Sequence, residues 1–277
     1  MSERDPAHIS PTAHYTGYVW RRHGLSPPEL GTNMGRSMFW ALEGPMRIAS
    51  RFVGGLTLET LLLQRHRMID HLLDSAIAAG RVRQVVEVAA GLSARGWRFT
   101  QARPDLVYVE GDLPAMVERK RALLPRRSPH HHIIAINALV DAGPTSIAEA
   151  TAALLDPREG TAIITEGLLP YFPRDDVLAM WHRFARFAKR GLYLTDIHIN
   201  DEAHRRLPLR AFQLLLGTVV RGEVHVQSFA SEEEVTTAAR AAGFTTATIH
   251  RPRALARELE LPLANGPDIV SILEASL

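Results

Sequence analysis

The run Gln84-Val85-Val86-Glu87-Val88 is apolar but for its glutamine and one acid, stops at Ala89-Ala90-Gly91, and gives way to a helical pattern near Arg95. An apolar stretch that ends in a small-residue turn and restarts as a helix reads as strand, loop and helix of an α/β sheet. Ligands of such sheets bind outside the carboxyl ends of the strands. The loop at Gly91, where the backbone is unshielded, is therefore the expected edge of a nucleotide-like site.

The rest of the chain repeats this alternation. Leu58, Leu61, Leu62, Arg65, Ile69, Leu72, Leu73 and Ile77 recur at helical spacing, with Thr57 placed to cap and Gly80 to stop the helix. Strands are expected at 82–88, 106–109, 131–136, 161–165 and 192–197, with two more near 244–249 and 269–273. Helices are expected at 95–102, 114–124, 146–155 and 174–189, and Ser231-Glu232-Glu233-Glu234 is a capping signature for another. The pattern predicts a Rossmann-like, doubly wound sheet of seven strands. Pro252, Pro262 and Pro267 crowd the last connection, which argues against a crossover helix there and for an antiparallel last strand.

Residues 1–56 differ in kind, with Pro6, Pro11, Pro27, Pro28 and Pro45 among the aromatic residues Tyr15, Tyr18, Trp20, Phe39 and Trp40. Prolines at these intervals predict short helices and turns, forming a helical cap on a main domain at 57–277. The cap either packs as an arm or closes as a lid over a substrate. Residues 201–222 read as an inserted helix.

With 32 basic and 30 acidic residues the net charge is +2, too small a field to imply nucleic acid. Cysteine is absent, which excludes disulfides and thiolate chemistry. No apolar run reaches the roughly 18 residues of a membrane span, and Met1–Asp5 carry charges rather than a signal core. A soluble, cytoplasmic protein is expected, with a small-molecule ligand and neither nucleic acid nor membrane as partner; an oligomeric state is not readable. His130-His131-His132 is not expected to hold a metal, because successive strand residues face opposite ways.

Two cofactor classes use this architecture. A nicotinamide enzyme needs G-x-G-x-x-G where the pyrophosphate meets the helix, but Ala89 and Ala94 occupy the first and last of those positions. S-adenosylmethionine has no phosphate and tolerates alanine where the chain still turns. Both classes want an acid after strand two, and Asp112 stands there.

Val85–Arg95, Glu110-Gly111-Asp112-Leu113-Pro114 with Lys120 downstream, and Glu166-Gly167-Leu168-Leu169-Pro170-Tyr171-Phe172, together with Arg65, resemble the leucine carboxyl methyltransferase family. The likeness is greatest to its bacterial O-methyltransferases acting on polyketides and related metabolites, over about residues 57–200. The resemblance implies a class I S-adenosylmethionine-dependent O-methyltransferase acting on a carboxylate or hydroxyl of a small secondary metabolite. It implies that Arg65 holds the methionyl carboxylate, that Gly91 and Glu87 lie beside the cofactor, and that Asp112 binds the ribose with Leu113 against the adenine. Glu166 would balance the ammonium or sulfonium charge. From the residues alone, Arg65 also reads as a helix-surface arginine and Asp112 as a helix cap, a role compatible with ribose binding. The family usually has glycine at Ala89, Asp-Thr-Arg at Ser93-Ala94-Arg95, and an acid near Asn137, whose side-chain carbonyl can still meet the adenine amine. These departures motivate the alternative of a cofactor-binding homologue that does not methylate. His198, expected past the end of strand five, and Tyr171 are the candidate catalytic side chains. His14, Tyr15 and Tyr18 are candidate pocket walls.

Overall fold

The stretch that begins at Gln84 forms β1 (Gln84–Val88), buried along its whole length at the centre of the sheet. The computed structural model describes residues 11–51, 54–124, 126–199, 228–263, 265 and 268–277. The inserted helix expected at 201–222 lies outside them.

β1 pairs in parallel with β2 (Val107–Asp112) on one side and β4 (Thr161–Thr165) on the other. β3 (His131–Ala135) extends the sheet beyond β2, and β5 (Gly191–Ile199) beyond β4. β6 (Ser228–Phe229) is a two-residue parallel addition to the end of β5. β7 (Thr246–His250) and β8 (Ser271–Ser276) finish the sheet, giving the order β3-β2-β1-β4-β5-β8-β7. β8 runs antiparallel to both neighbours, so the predicted mixed topology is the observed one.

Alternation along the strands feeds two cores. Val85, Ala162, Ile164, Leu192 and Leu194 face α3 (Leu58–Ala78), while Val86, Val88, Ile163 and Tyr193 face α7 (Arg174–Phe187). Between them in sequence lie α4 (Arg95–Ala102), α5 (Pro114–Leu123) and α6 (Ile147–Thr151). The expected caps form: Thr57 accepts from Thr60 N at 3.0 Å and Ser231 from Glu234 N at 3.1 Å, the latter opening α8 (Glu232–Ala241). Gly96 brings α4 close to β2. A Cβ there would lie 2.6 Å from Glu110 Oε1 and 2.7 Å from Tyr108 Cδ1.

Proline misled the sequence reading twice. α1 (Pro11–Arg22) is followed by α2 (Asn33–Ser50), an 18-residue helix that contains Pro45. An interior proline costs about 3 kcal/mol of helix, but burial of Phe39 and Met46 holds the segment in place on both sides of it. Likewise the β7–β8 connection contains α9 (Pro252–Leu259). Pro252 begins that helix, where its missing N–H is not needed.

Candidate active site

A cavity of about 480 Å³ opens at the carboxyl ends of β1, β2 and β4, where the strand order reverses. Arg65, Glu87, Ala89, Gly91, Asp112, Leu113, Asn137 and Glu166 all line it, as does Tyr171.

The loop after β1 turns through two residues of positive φ, Ala89 at 56° and Gly91 at 51°. Alanine keeps the conformation that glycine would take without steric cost. Asp112 ends β2 rather than following it, and its carboxylate bridges two loops. Oδ2 accepts from Gly91 N at 2.7 Å and Oδ1 from Leu113 N at 2.8 Å. Burial pushes the Asp112 carboxyl above its usual range despite those two amides. Leu113 is 48% exposed and Leu139 39%, so two apolar side chains flank the mouth. Asn137 Oδ1 accepts from Leu139 N at 3.0 Å, which fixes the loop beyond β3.

The opposite wall is charged. Glu166 follows β4 and is contacted by three residues: Arg65 Nε donates to Oε1 at 2.9 Å, Arg95 Nη2 lies 2.6 Å from Oε2, and His66 Nδ1 lies 2.8 Å from Oε2. Burial alone would raise its pKa, but His66, Arg95 and Arg65 hold it well below the ordinary carboxylate range. Arg65 also reaches Asp196 Oδ2 at 3.5 Å, and Asp196 Oδ1 accepts from Gly167 N at 2.6 Å. Arg95 is wholly buried and donates to Glu87 Oε1 at 2.5 Å and Asp70 Oδ1 at 2.6 Å. Arg98 Nη2 donates to Asp70 Oδ2 at 2.6 Å. Asp70, Glu87, Glu166 and Asp196 thus face the guanidinium groups of Arg65, Arg95 and Arg98 and the ring of His66 beside the cavity.

Glu110 and Lys120 have a different place. Lys120 Nζ lies 2.7 Å from Glu110 Oε2 and His131 Nε2 at 3.2 Å, all buried behind the loop. Burial opposes ionisation of Glu110, yet Lys120 and His131 hold its pKa down. The central histidine of the triplet is therefore a packing partner of Glu110, while His130 is exposed.

Other candidates lie elsewhere. β5 continues through Ile199, so His198 sits within the strand; its Nδ1 lies 3.2 Å from Ile269 O. It lines a separate crevice with Leu169, Pro170, Val177 and Phe229. Tyr15 and Tyr18 turn inward onto Phe39, at ring separations of 5.9 and 5.5 Å. His14 Nδ1 pairs with Thr32 Oγ1 at 2.9 Å, and burial, aided by Arg119, lowers its pKa. None of these side chains lines the main cavity. The opposite face of α1 does so, through Thr12, Ala13, Thr16 and Trp20. Their spacing of four residues from Thr12 to Thr16 to Trp20 is a legible helical stripe. Tyr171 Oη reaches Thr12 Oγ1 at 3.3 Å, joining the turn after β4 to α1. Among the described residues no histidine lines the cavity.

The architecture is a Rossmann-like, doubly wound sheet with one antiparallel strand. Two solved structures share it across nearly the whole chain. One is a provisionally named methyltransferase of Thermobifida fusca YX, with TM-score 0.63, 13% identity, and 96% of this chain and 94% of that one covered. The other is a DUF574 family protein of Streptomyces avermitilis, with TM-score 0.65, 11% identity, and 99% of both chains covered. At these identities the likeness is one of fold.

Sequence likeness covers a narrower span. The profile described as leucine carboxyl methyltransferase matches residues 49–185. A protein of Mycolicibacterium gilvum provisionally named an S-adenosyl-L-methionine-dependent methyltransferase is 38% identical over 137 residues, 48% of this chain and 40% of the relative. A Frankia alni protein of the same provisional name is 30% identical over 181 residues, 64% of this chain and 63% of the relative. The chain thus spans less than two thirds of the length of either relative, and over residues 49–185 it is similar to the leucine carboxyl methyltransferase family.

Proposed function

We propose that this protein binds S-adenosylmethionine in the cavity at the ends of β1, β2 and β4 and transfers its methyl group to an oxygen of a small acceptor. The observation that carries the reading is the division of one cavity into two chemically distinct ends. The Asp112 carboxylate, with the apolar Leu113 beside it, suits a ribose and its purine. The Glu87, Glu166 and Arg65 end suits a zwitterionic amino acid. Arg65 would hold the methionyl carboxylate and Glu166 the ammonium.

Methyl transfer from a sulfonium is an in-line displacement that depends chiefly on positioning and exclusion of water. α1 supplies the cover in this reading: Thr12, Thr16 and Trp20 close the side opposite the strands, latched by Tyr171. Residues 1–56 would then act as a cap on a cofactor domain at 57–277. A polyketide-like or other secondary metabolite with a carboxylate or hydroxyl is the acceptor class proposed. Because no histidine reaches the cavity among the described residues, an acceptor already ionised is favoured over an alcohol. The same observation favours the second reading, a homologue that holds the cofactor without methylating.

Calorimetric titration with S-adenosylmethionine, S-adenosylhomocysteine and NADH tests the cofactor. Binding of the adenosyl ligands on the order of micromolar with none of NADH is the expected result, and no adenosyl binding refutes it. Product mass then separates the two readings, since only methyl transfer adds a methyl group to the acceptor.

A further inference from the structure

His66 is wholly buried at the middle of α3, one residue from Arg65 and in contact with two walls of the cavity. Its ring stacks on Trp20 with centroids 4.2 Å apart and planes 25° apart. Its Nδ1 lies 2.8 Å from Glu166 Oε2, and its Nε2 lies 3.0 Å from Arg98 Nη2 and 3.8 Å from Asp70 Oδ2. The ring therefore bridges the first helix and the turn after β4, which are 146 positions apart in the chain at Trp20 and Glu166.

Glu166 Oε2 is the carboxylate oxygen nearest the ring, so a proton on Nδ1 has an acceptor at 2.8 Å. A guanidinium only donates, and Nε2 is then the nitrogen that accepts from Arg98. The 2.9 Å approach of Arg95 Nη2 to Nδ1 is then two donors converging on the same Glu166 oxygen. Arg65 holds the other oxygen, so the carboxylate plane is set from both ends.

We infer that His66 is a positioning residue for the proposed cofactor site: its Nδ1–H fixes Glu166 while its ring face fixes Trp20, tying closure of the cap to the carboxylate that receives the cofactor's positive end. This rests on the methyltransferase reading and adds to it a residue that touches neither cofactor nor acceptor. The role needs an N–H at Nδ1, which a purely space-filling residue would not supply.

Three substitutions separate the contacts. His66→Phe keeps an aromatic face for Trp20 and removes both hydrogen bonds. His66→Asn places an amide N–H near the Nδ1 position and so restores the donor to Glu166. His66→Gln places its amide near Nε2 and restores only the Arg98 side. S-adenosylhomocysteine affinity, read by calorimetry beside the thermal midpoint of each variant, is expected to fall at least about tenfold in His66→Phe and His66→Gln. His66→Asn should stay within about threefold of the natural protein, even where its midpoint is lower. Affinity that follows the midpoint rather than the Glu166 donor, or stays unchanged in all three, overturns the inference. ¹⁵N-histidine spectra of the ligand-free natural protein test the proton directly, with the His66 signal identified by its loss in His66→Asn. A proton on Nδ1 is expected, and a proton on Nε2 alone overturns the inference. If the natural protein binds no adenosyl ligand, the methyltransferase reading falls and this role with it. If it binds and the variants bind equally well, only the role falls.

Discussion

Ala89 combines a family departure with a measurable strain. Its φ of 56° is a conformation in which an L side chain costs about 1–2 kcal/mol. Ala89→Gly should therefore raise the free energy of unfolding by roughly 1 kcal/mol, less what the unfolded glycine gains in freedom. Urea denaturation checks this, and a less stable variant would mean that the methyl makes contacts worth more than the strain. Asp112 offers the converse test, because its carboxylate already holds Gly91 N and Leu113 N before any ligand arrives. Asp112→Ala is expected to weaken S-adenosylhomocysteine binding by about 1–3 kcal/mol and to lower the thermal midpoint as well. Unchanged affinity would remove the ribose assignment. Both residues were visible as motif positions. That Asp112 also supports the loop was not, since an acid 21 positions from Gly91 meets it only once β1 and β2 pair in register.

Among the elements, α4 is the one whose placement the site depends on, because it delivers Arg95 to Glu87, Asp70 and Glu166. Gly96 sets that placement. Gly96→Ala would press a methyl into Glu110, Tyr108 and His131, and is expected to cost about 1–3 kcal/mol in urea unfolding. A neutral result would show that the helix can shift outward, and adenosyl affinity should then fall instead. The helical and strand identities followed from periodicity, and β4 at 161–165 matches its expected bounds. Strand ends fared worse: Glu110, Gly111 and Asp112 have poor strand propensity, yet pairing with β1 and β3 extends β2 through them. α1 carries ring-bearing side chains on both faces, so composition favoured His14, Tyr15 and Tyr18, whereas packing on Phe39 turned Thr12, Thr16 and Trp20 to the cavity. Proline counts failed for α2 and α9 because one proline is offset by burial around it and the other stands at a helix start.

For the whole molecule, the buried acids define a pH response. Asp70 is shifted from 3.8 to about 2 despite burial, chiefly by His66, Arg98 and Arg95, and Glu110 and Glu166 are likewise held below the ordinary 4.5. A depressed folded pKa stabilises the fold above the unfolded value, and that stabilisation is lost as pH falls through the folded one. The thermal midpoint should therefore hold down to about pH 4.5 and decline toward about pH 2. A midpoint that rises on acidification would contradict the ion-pair network. Among the described residues no helix is long and apolar enough to cross a membrane. What the sequence determined by itself was everything local or periodic: the alternation of strands and helices, the small-residue turn at Gly91, the acid at Asp112, and the motif order that resembles the family. The tertiary structure alone decided which side chains from distant segments share one low-dielectric space. Arg95, His66, Asp70 and Trp20 gather around Glu166 because α1, α3, α4 and the turn after β4 converge there. Their mutual contacts are set by packing geometry and charge pairing, which act through space and leave no periodic mark on the chain.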